Sequence, residues 1–303
     1  MTWKDTEEMS AQGHKAFSFR RVAAITRNTL TELTRQKVFY VVLIFGLLLI
    51  GTSGFMAQLS FQQEFQVLKD VSLGAMSIFI SLLAIVATAR LLPQEIEDRT
   101  IYTILAKPVP RFEYLLGKLI GVLLLLAISI ALMSALFAAV LYAREQTVLH
   151  ETVRQISGLP AAQINETVQT IHAAAFSTNL LPAIATIYLK GCLLASLTLF
   201  VSTFATTNIF TVVVMVFVYF IGHLQATARE YWLQEKSVGW LTRAFLAFVA
   251  LVFPDLQAFN LVDDVVAGAV IPLPLFLNTA LLSFFYTAIY LLLAAVVFYG
   301  KEL

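Results

Sequence analysis

The chain has 303 residues, of which 59% are hydrophobic and only 13% charged, and its formal net charge is +1. That balance excludes an ordinary soluble domain and removes any bulk electrostatic case for nucleic acid, so the composition is that of a membrane protein. Its single cysteine, Cys192, stands inside an apolar run, which excludes an intrachain disulfide framework and any metal centre built on several thiolates.

The first apolar run begins only near Val38, with no small-residue cleavage pattern ahead of it, so no cleavable signal sequence is expected. Within 18–37, a step of about 100° per residue puts Phe19, Val22, Ala23, Leu30 and Leu33 on one side of a helix. Arg20, Arg21, Arg27 and Arg35 fall on the other side. The segment 1–37 is therefore predicted to be a cytoplasmic N-terminus carrying an interfacial amphipathic helix, its apolar stripe in the acyl boundary and its arginines at anionic headgroups.

A bilayer core of roughly 30 Å asks for about 20 apolar residues in a helix. Such runs lie at about 38–57, 71–92, 119–142, 182–204 and 275–299, with a shorter one at 208–225. The stretch 241–253 is apolar, ends at Pro254, and is short for a span; it fits a re-entrant hairpin on the outer side. The predicted fold is all-α and polytopic, a single transmembrane domain over 38–303 with six spans.

Lysine and arginine set the orientation. Lys4, Lys15, Arg20, Arg21, Arg27, Arg35 and Lys37 crowd the N-terminal segment, and Arg90, Arg99, Lys107, Arg111 and Lys118 crowd the region of the loop 93–118. Both are expected to be cytoplasmic, and six spans then place both termini inside. The loop 143–181 faces outward and is expected to form two short helices, about 145–157 and 160–176, divided by Gly158 in the stopping position and Pro160 in the starting one.

Catalytic sets are missing from the sequence: there is no HExxH, no GxSxG and no CxxC, and the four histidines are scattered over loops and span ends. Leu116-Gly117-Lys118-Leu119 is not a phosphate loop, because Phe112 stands where its first glycine belongs and Leu119 where its Ser or Thr belongs. The chain is thus read as having no enzyme activity, metal or cofactor of its own. Lys190 is the clearest ionisable residue within a span; a charge at the bilayer centre costs at least ~2.5 kcal/mol and marks a functional candidate. It is expected to snorkel to the outer interface or pack against a partner helix, ahead of a transport role. Gly117 and Gly121, and Gly191, Ala195 and Ser196, are spacings that permit close helix approach.

The loop 93–118 is the most distinctive stretch. It opens with Glu95, Glu97, Asp98 and Arg99, continues through Ile101, Tyr102, Ile104 and Leu105, and is stopped by Pro108 and Pro110. A short helix with one apolar face and charged flanks, held outside lipid, suits a groove on another protein.

The order Glu95-Ile96-Glu97-Asp98-Arg99-Thr100, then Leu105-Ala106-Lys107-Pro108-Val109-Pro110-Arg111, then Tyr114-Leu115-Leu116-Gly117-Lys118 resembles the permease subunits of ABC-2 type ATP-binding cassette transporters. The likeness is nearest to the permeases of nitrous oxide reductase maturation and gliding-motility systems. Pro254-Asp255-Leu256-Gln257-Ala258-Phe259-Asn260 is a second match, to the segment before the last span. The resemblance covers nearly the whole chain. It implies a coupling helix over 95–105 in which Glu95, Glu97, Asp98, Arg99, Thr100, Ile101 and Leu105 dock in a cleft of a separate ATPase subunit, which carries the ATP and magnesium. It further implies a second permease copy or related permease, and a bacterial inner membrane location. The outward loop 143–181 is longer than a minimal permease needs and suggests a periplasmic partner. The alternative, an ATP-independent secondary transporter or channel, calls for interrupted helices and several charges near the midplane; Lys190 is the main feature in its favour.

Overall fold

A computed structural model of the chain describes residues 17–58, 64–97, 110–155, 160–177, 179–234, 253–266, 268–269 and 271–300. The regular elements among them are all helices: α1 (Phe19–Thr34), α2 (Lys37–Gln58), α3 (Glu64–Ala89), α4 (Leu91–Glu97), α5 (Arg111–Gln155), α6 (Ala161–Ala175), α7 (Leu180–Phe204), α8 (Asn208–Gln234), α9 (Val262–Val266) and α10 (Leu273–Gly300), with a 3-10 turn at Gln257–Phe259. Six of these, α2, α3, α5, α7, α8 and α10, are long and apolar enough to cross a membrane. In hydrocarbon each backbone N–H and C=O must find a partner within the chain, and a helix achieves this along its own length.

α3 and α7 form the centre. α10 packs on α7, α2 on α3, and α5 along both. α2, α8 and α10 turn large apolar side chains outward, among them Val41, Phe217 and Phe284, as lipid-facing helices do. Pro93 explains the break between α3 and α4: it lies in the first turn of α4, where it has no N–H to give to Ala89, and the chain turns at Arg90. Between α7 and α8 only 205–207 intervene, and the Thr207 hydroxyl accepts the Phe210 N–H at 3.3 Å, an N-cap bond.

α5 departs from expectation. It runs unbroken for 45 residues, about 68 Å at 1.5 Å per residue, so the first of the two helices expected in 143–181 is the same rod as the third span. Polar residues end the hydropathy run at Tyr142, but nothing there breaks a helix. Arg144 instead pairs with Glu64 at the start of α3, at 2.6 Å. α6 begins after Pro160, as the sequence suggests, and folds back on α5. His172 Nδ1 of α6 lies 2.5 Å from the buried Glu145, and Lys69 of α3 donates to the Ala174 carbonyl at 2.6 Å, satisfying the end of α6. The segment expected to be re-entrant, 241–253, lies outside the described residues except for Phe253, and α8 extends beyond Gln225 to Gln234.

The Pro254–Asn260 motif packs against the middle of α8. Leu256 donates its N–H to Gly222 at 3.1 Å, and a Cβ on Gly222 would meet Leu256 Cγ at 2.7 Å. Glycine is needed there for close approach.

α1 also differs in the face it buries. Val22, Thr26, Thr29 and Leu33 are buried while Phe19 and Ala23 are exposed, because the helix lies along the first turns of α5. Cβ atoms on Gly117 and Gly121 would sit 2.8 Å from Ile25 and Thr29 and 3.2 Å from the Val22 and Thr26 carbonyls. The glycine pair thus admits α1 at backbone distance, and Thr26 donates its hydroxyl to the Gly117 carbonyl at 3.1 Å. Gly121→Leu is expected to cost about 1–3 kcal/mol by overpacking and to lift α1 off α5, read as faster tryptic cleavage at Arg27 in detergent. Gly51→Leu, whose Cβ meets nothing within 4 Å, should leave cleavage unchanged.

Candidate functional site

The first two turns of α5, from Arg111 to Lys118, carry four polar side chains into the protein where an apolar span is about to begin. Tyr114 and Lys118 are one helical turn apart and share a face. Both point at Glu95 of α4: the Tyr114 hydroxyl donates to one carboxylate oxygen and the Lys118 ammonium to the other. Lys118 also lies 3.4 Å from Glu32 of α1. Glu95 is only 8% exposed and Lys118 1%, so the ammonium and carboxylate replace each other's lost water.

Glu113 faces the other way, towards α1. Its two oxygens accept Arg21 Nε and Nη2, each at 2.7 Å, in a bidentate pair. The Ser18 N–H adds a third bond at 3.0 Å.

Arg111 reaches α10. Its Nη1 donates to the carbonyls of Phe298 and Tyr299 at 2.8 and 2.6 Å, and its guanidinium stands 5.8 and 5.5 Å from the centres of their rings. A cation on the last carbonyls of a helix neutralises its negative end. Tyr114 stacks on Phe298 at 6.1 Å between ring centres. One short stretch of α5 therefore binds α1, α4 and α10 together.

The residues singled out by sequence fall in different places. Glu95 is inside this knot; Glu97, at the end of α4, is exposed. Asp98, Arg99, Thr100, Ile101 and Leu105 lie outside the described residues. Arg20, Arg27 and Arg35 are exposed on α1, but Arg21 turns inward to Glu113. Lys190 is not part of the knot: it is 2% exposed on α7 and donates to Ser77 of α3. It packs against a neighbouring helix and does not snorkel outward. Glu113, Tyr114 and Glu32 were not anticipated. Their signal was faint but present, since Arg111, Glu113 and Lys118 are charges packed into the two turns before an apolar run, where any of them left unpaired is costly.

Among the described residues the regular elements are all helices, and six of them fit to cross a membrane define a multi-pass membrane protein. A family model described as "ABC-2 family transporter protein" matches residues 23–303. The chain belongs to that family and is a permease subunit of an ATP-binding cassette transporter. No curated protein matches it.

Lys118→Met strands the Glu95 carboxylate without its ammonium, and is expected to lower stability by about 3–5 kcal/mol, measured by denaturation in detergent. Combining it with Glu95→Gln should return most of the loss.

Proposed function

We propose that this permease is driven by a separate ATPase subunit that docks on residues 95–105, and that two permease subunits together form the transport path. The observation that carries the reading is the attachment of this segment at both ends. Glu95, at its start, is held by Tyr114 and Lys118, and six residues after its end Arg111 is bonded to α10. A displacement of the docked segment is then delivered through Glu95 to α5, and from α5 to α1 and α10. Glu95 serves as the inner anchor. The exposed Glu97 and the residues that follow it present the docking surface.

The end of the bundle bearing α1, α4 and the knot is the cytoplasmic one in this reading, in a bacterial inner membrane, with ATP and magnesium on the ATPase. The exposed Arg20, Arg27 and Arg35 lie at anionic headgroups, which makes α1 an interfacial helix as well as a brace on α5. The motifs shared with the permeases of nitrous oxide reductase maturation and gliding motility support placement in that branch. The projecting end of α5 with α6 offers a surface to a periplasmic partner.

The test is a mild-detergent pull-down from native membrane with ATPase assay of the product. A stoichiometric partner bearing a phosphate loop, lost with its activity on Glu97→Lys while the permease stays folded, is the expected result. Full retention of the partner in that variant would overturn the docking assignment, and a chain isolated without any nucleotide-binding partner would overturn the ATP-driven reading in favour of an ATP-independent transporter.

A further inference from the structure

Lys190 differs from every charge in the knot. Its ammonium has three donors, and among the described residues a single hydroxyl, that of Ser77, receives one of them. No acid forms an ion pair with it among the described residues. Gly191 brings α7 close enough to α3 for this contact, since a Cβ there would stand 2.7 Å from Ile80.

The surroundings are polar at the same depth. Counting 1.5 Å per residue from the knot end of each helix puts Lys190 about 21 Å along α7, His223 about 22 Å along α8 and Ser77 about 18 Å along α3. Tyr219 of α8 faces Ser81 of α3, and its ring centre is 4.3 Å from that of His223. Lys190 and Asp255 both act electrostatically on His223. Lys190 is enclosed, but Ser77, Tyr219 and His223 are only half-buried, and a Cβ on Gly74, one turn from Ser77, would meet nothing within 4 Å. The ammonium therefore lies one serine away from the lateral surface of the bundle, along the seam between α3 and α8.

We propose that Lys190, with Ser77, Tyr219 and His223, is an intramembrane receptor for the anionic head of an amphiphile. A cation in low dielectric without a carboxylate partner gains most from an incoming anion, and the hydroxyls and imidazole supply further hydrogen bonds. A free anion does not enter hydrocarbon at this depth, whereas an amphiphile brings its head along the seam while its tail stays among lipid chains. The inference rests on the transport reading only for why such a molecule passes here.

The test uses the purified full chain in phosphatidylcholine nanodiscs with oleate as probe, oleyl alcohol as its neutral twin and inorganic phosphate as free-ion control, with bound species counted by native mass spectrometry. Oleate is expected to bind, and the other two are not. Lys190→Met should weaken oleate by about tenfold or more, while Lys190→Arg, which keeps the cation, retains it. Should Lys190→Met not fold, Ser77→Asp makes the same test by supplying an internal carboxylate, and should abolish oleate binding. Equal binding of oleyl alcohol, phosphate binding in place of oleate, or undiminished oleate binding in Lys190→Met or Ser77→Asp would overturn the proposal. Lys190-dependent oleate binding by a chain that captures no ATPase would uphold the site and remove only the ATP-driven reading.

Discussion

Charges at the edge of hydrocarbon must be neutralised by neighbours, and the grip of Lys118 and Tyr114 on Glu95 is the neutralisation on which the knot end of this permease depends. None of the three is tolerable there alone: the ammonium and carboxylate have lost their water, and a phenol without a partner leaves its donor unsatisfied. Because each is acceptable only in the company of the others, α4 cannot leave α5 without exposing a buried charge to an apolar wall. The short helix that leads into the 95–105 segment is thus held by a requirement stronger than surface packing.

The same requirement repeats along α5. Glu113 needs Arg21, and so fastens α1; Arg111 needs the last carbonyls of α10, and so fastens the end of the chain. At its far end Arg144 takes Glu64 of α3 and Glu145 takes His172 of α6. A 45-residue helix clamped at both ends is a rod, and Gly117 and Gly121 let α1 lie against it at backbone distance.

Lys190 marks the contrast. Where the knot pairs each charge within the protein, the centre of the bundle keeps a cation with one serine for company among the described residues. Structural charges are closed systems of donors and acceptors; a charge left with spare donors inside a span is an open one, and the polar seam between α3 and α8 leads to it.

Much of this was legible in the residues. Apolar runs of sufficient length specify spanning helices because hydrocarbon offers the backbone no other partner, and Pro160 marks a helix start by chemistry confined to one turn. The motifs around Glu95 and Pro254 pointed to the family. What sequence alone could not decide was every question of partner. Hydropathy ended the third span at Tyr142, but Arg144 meets Glu64 from 80 residues away and the helix continues. A period of 3.6 assigned Arg21 to headgroups along with Arg20, because periodicity distinguishes faces of a helix and not what lies against them. Lys118 looked like one more cytoplasmic positive charge, and Lys190 like a side chain reaching for water or packed on a partner helix that the sequence could not name. Composition and spacing determined that there would be helices, how many cross and where charge accumulates, since those follow from local solvation. Which charge meets which, and which one is left with spare donors, was decided only when helices far apart in the chain came side by side.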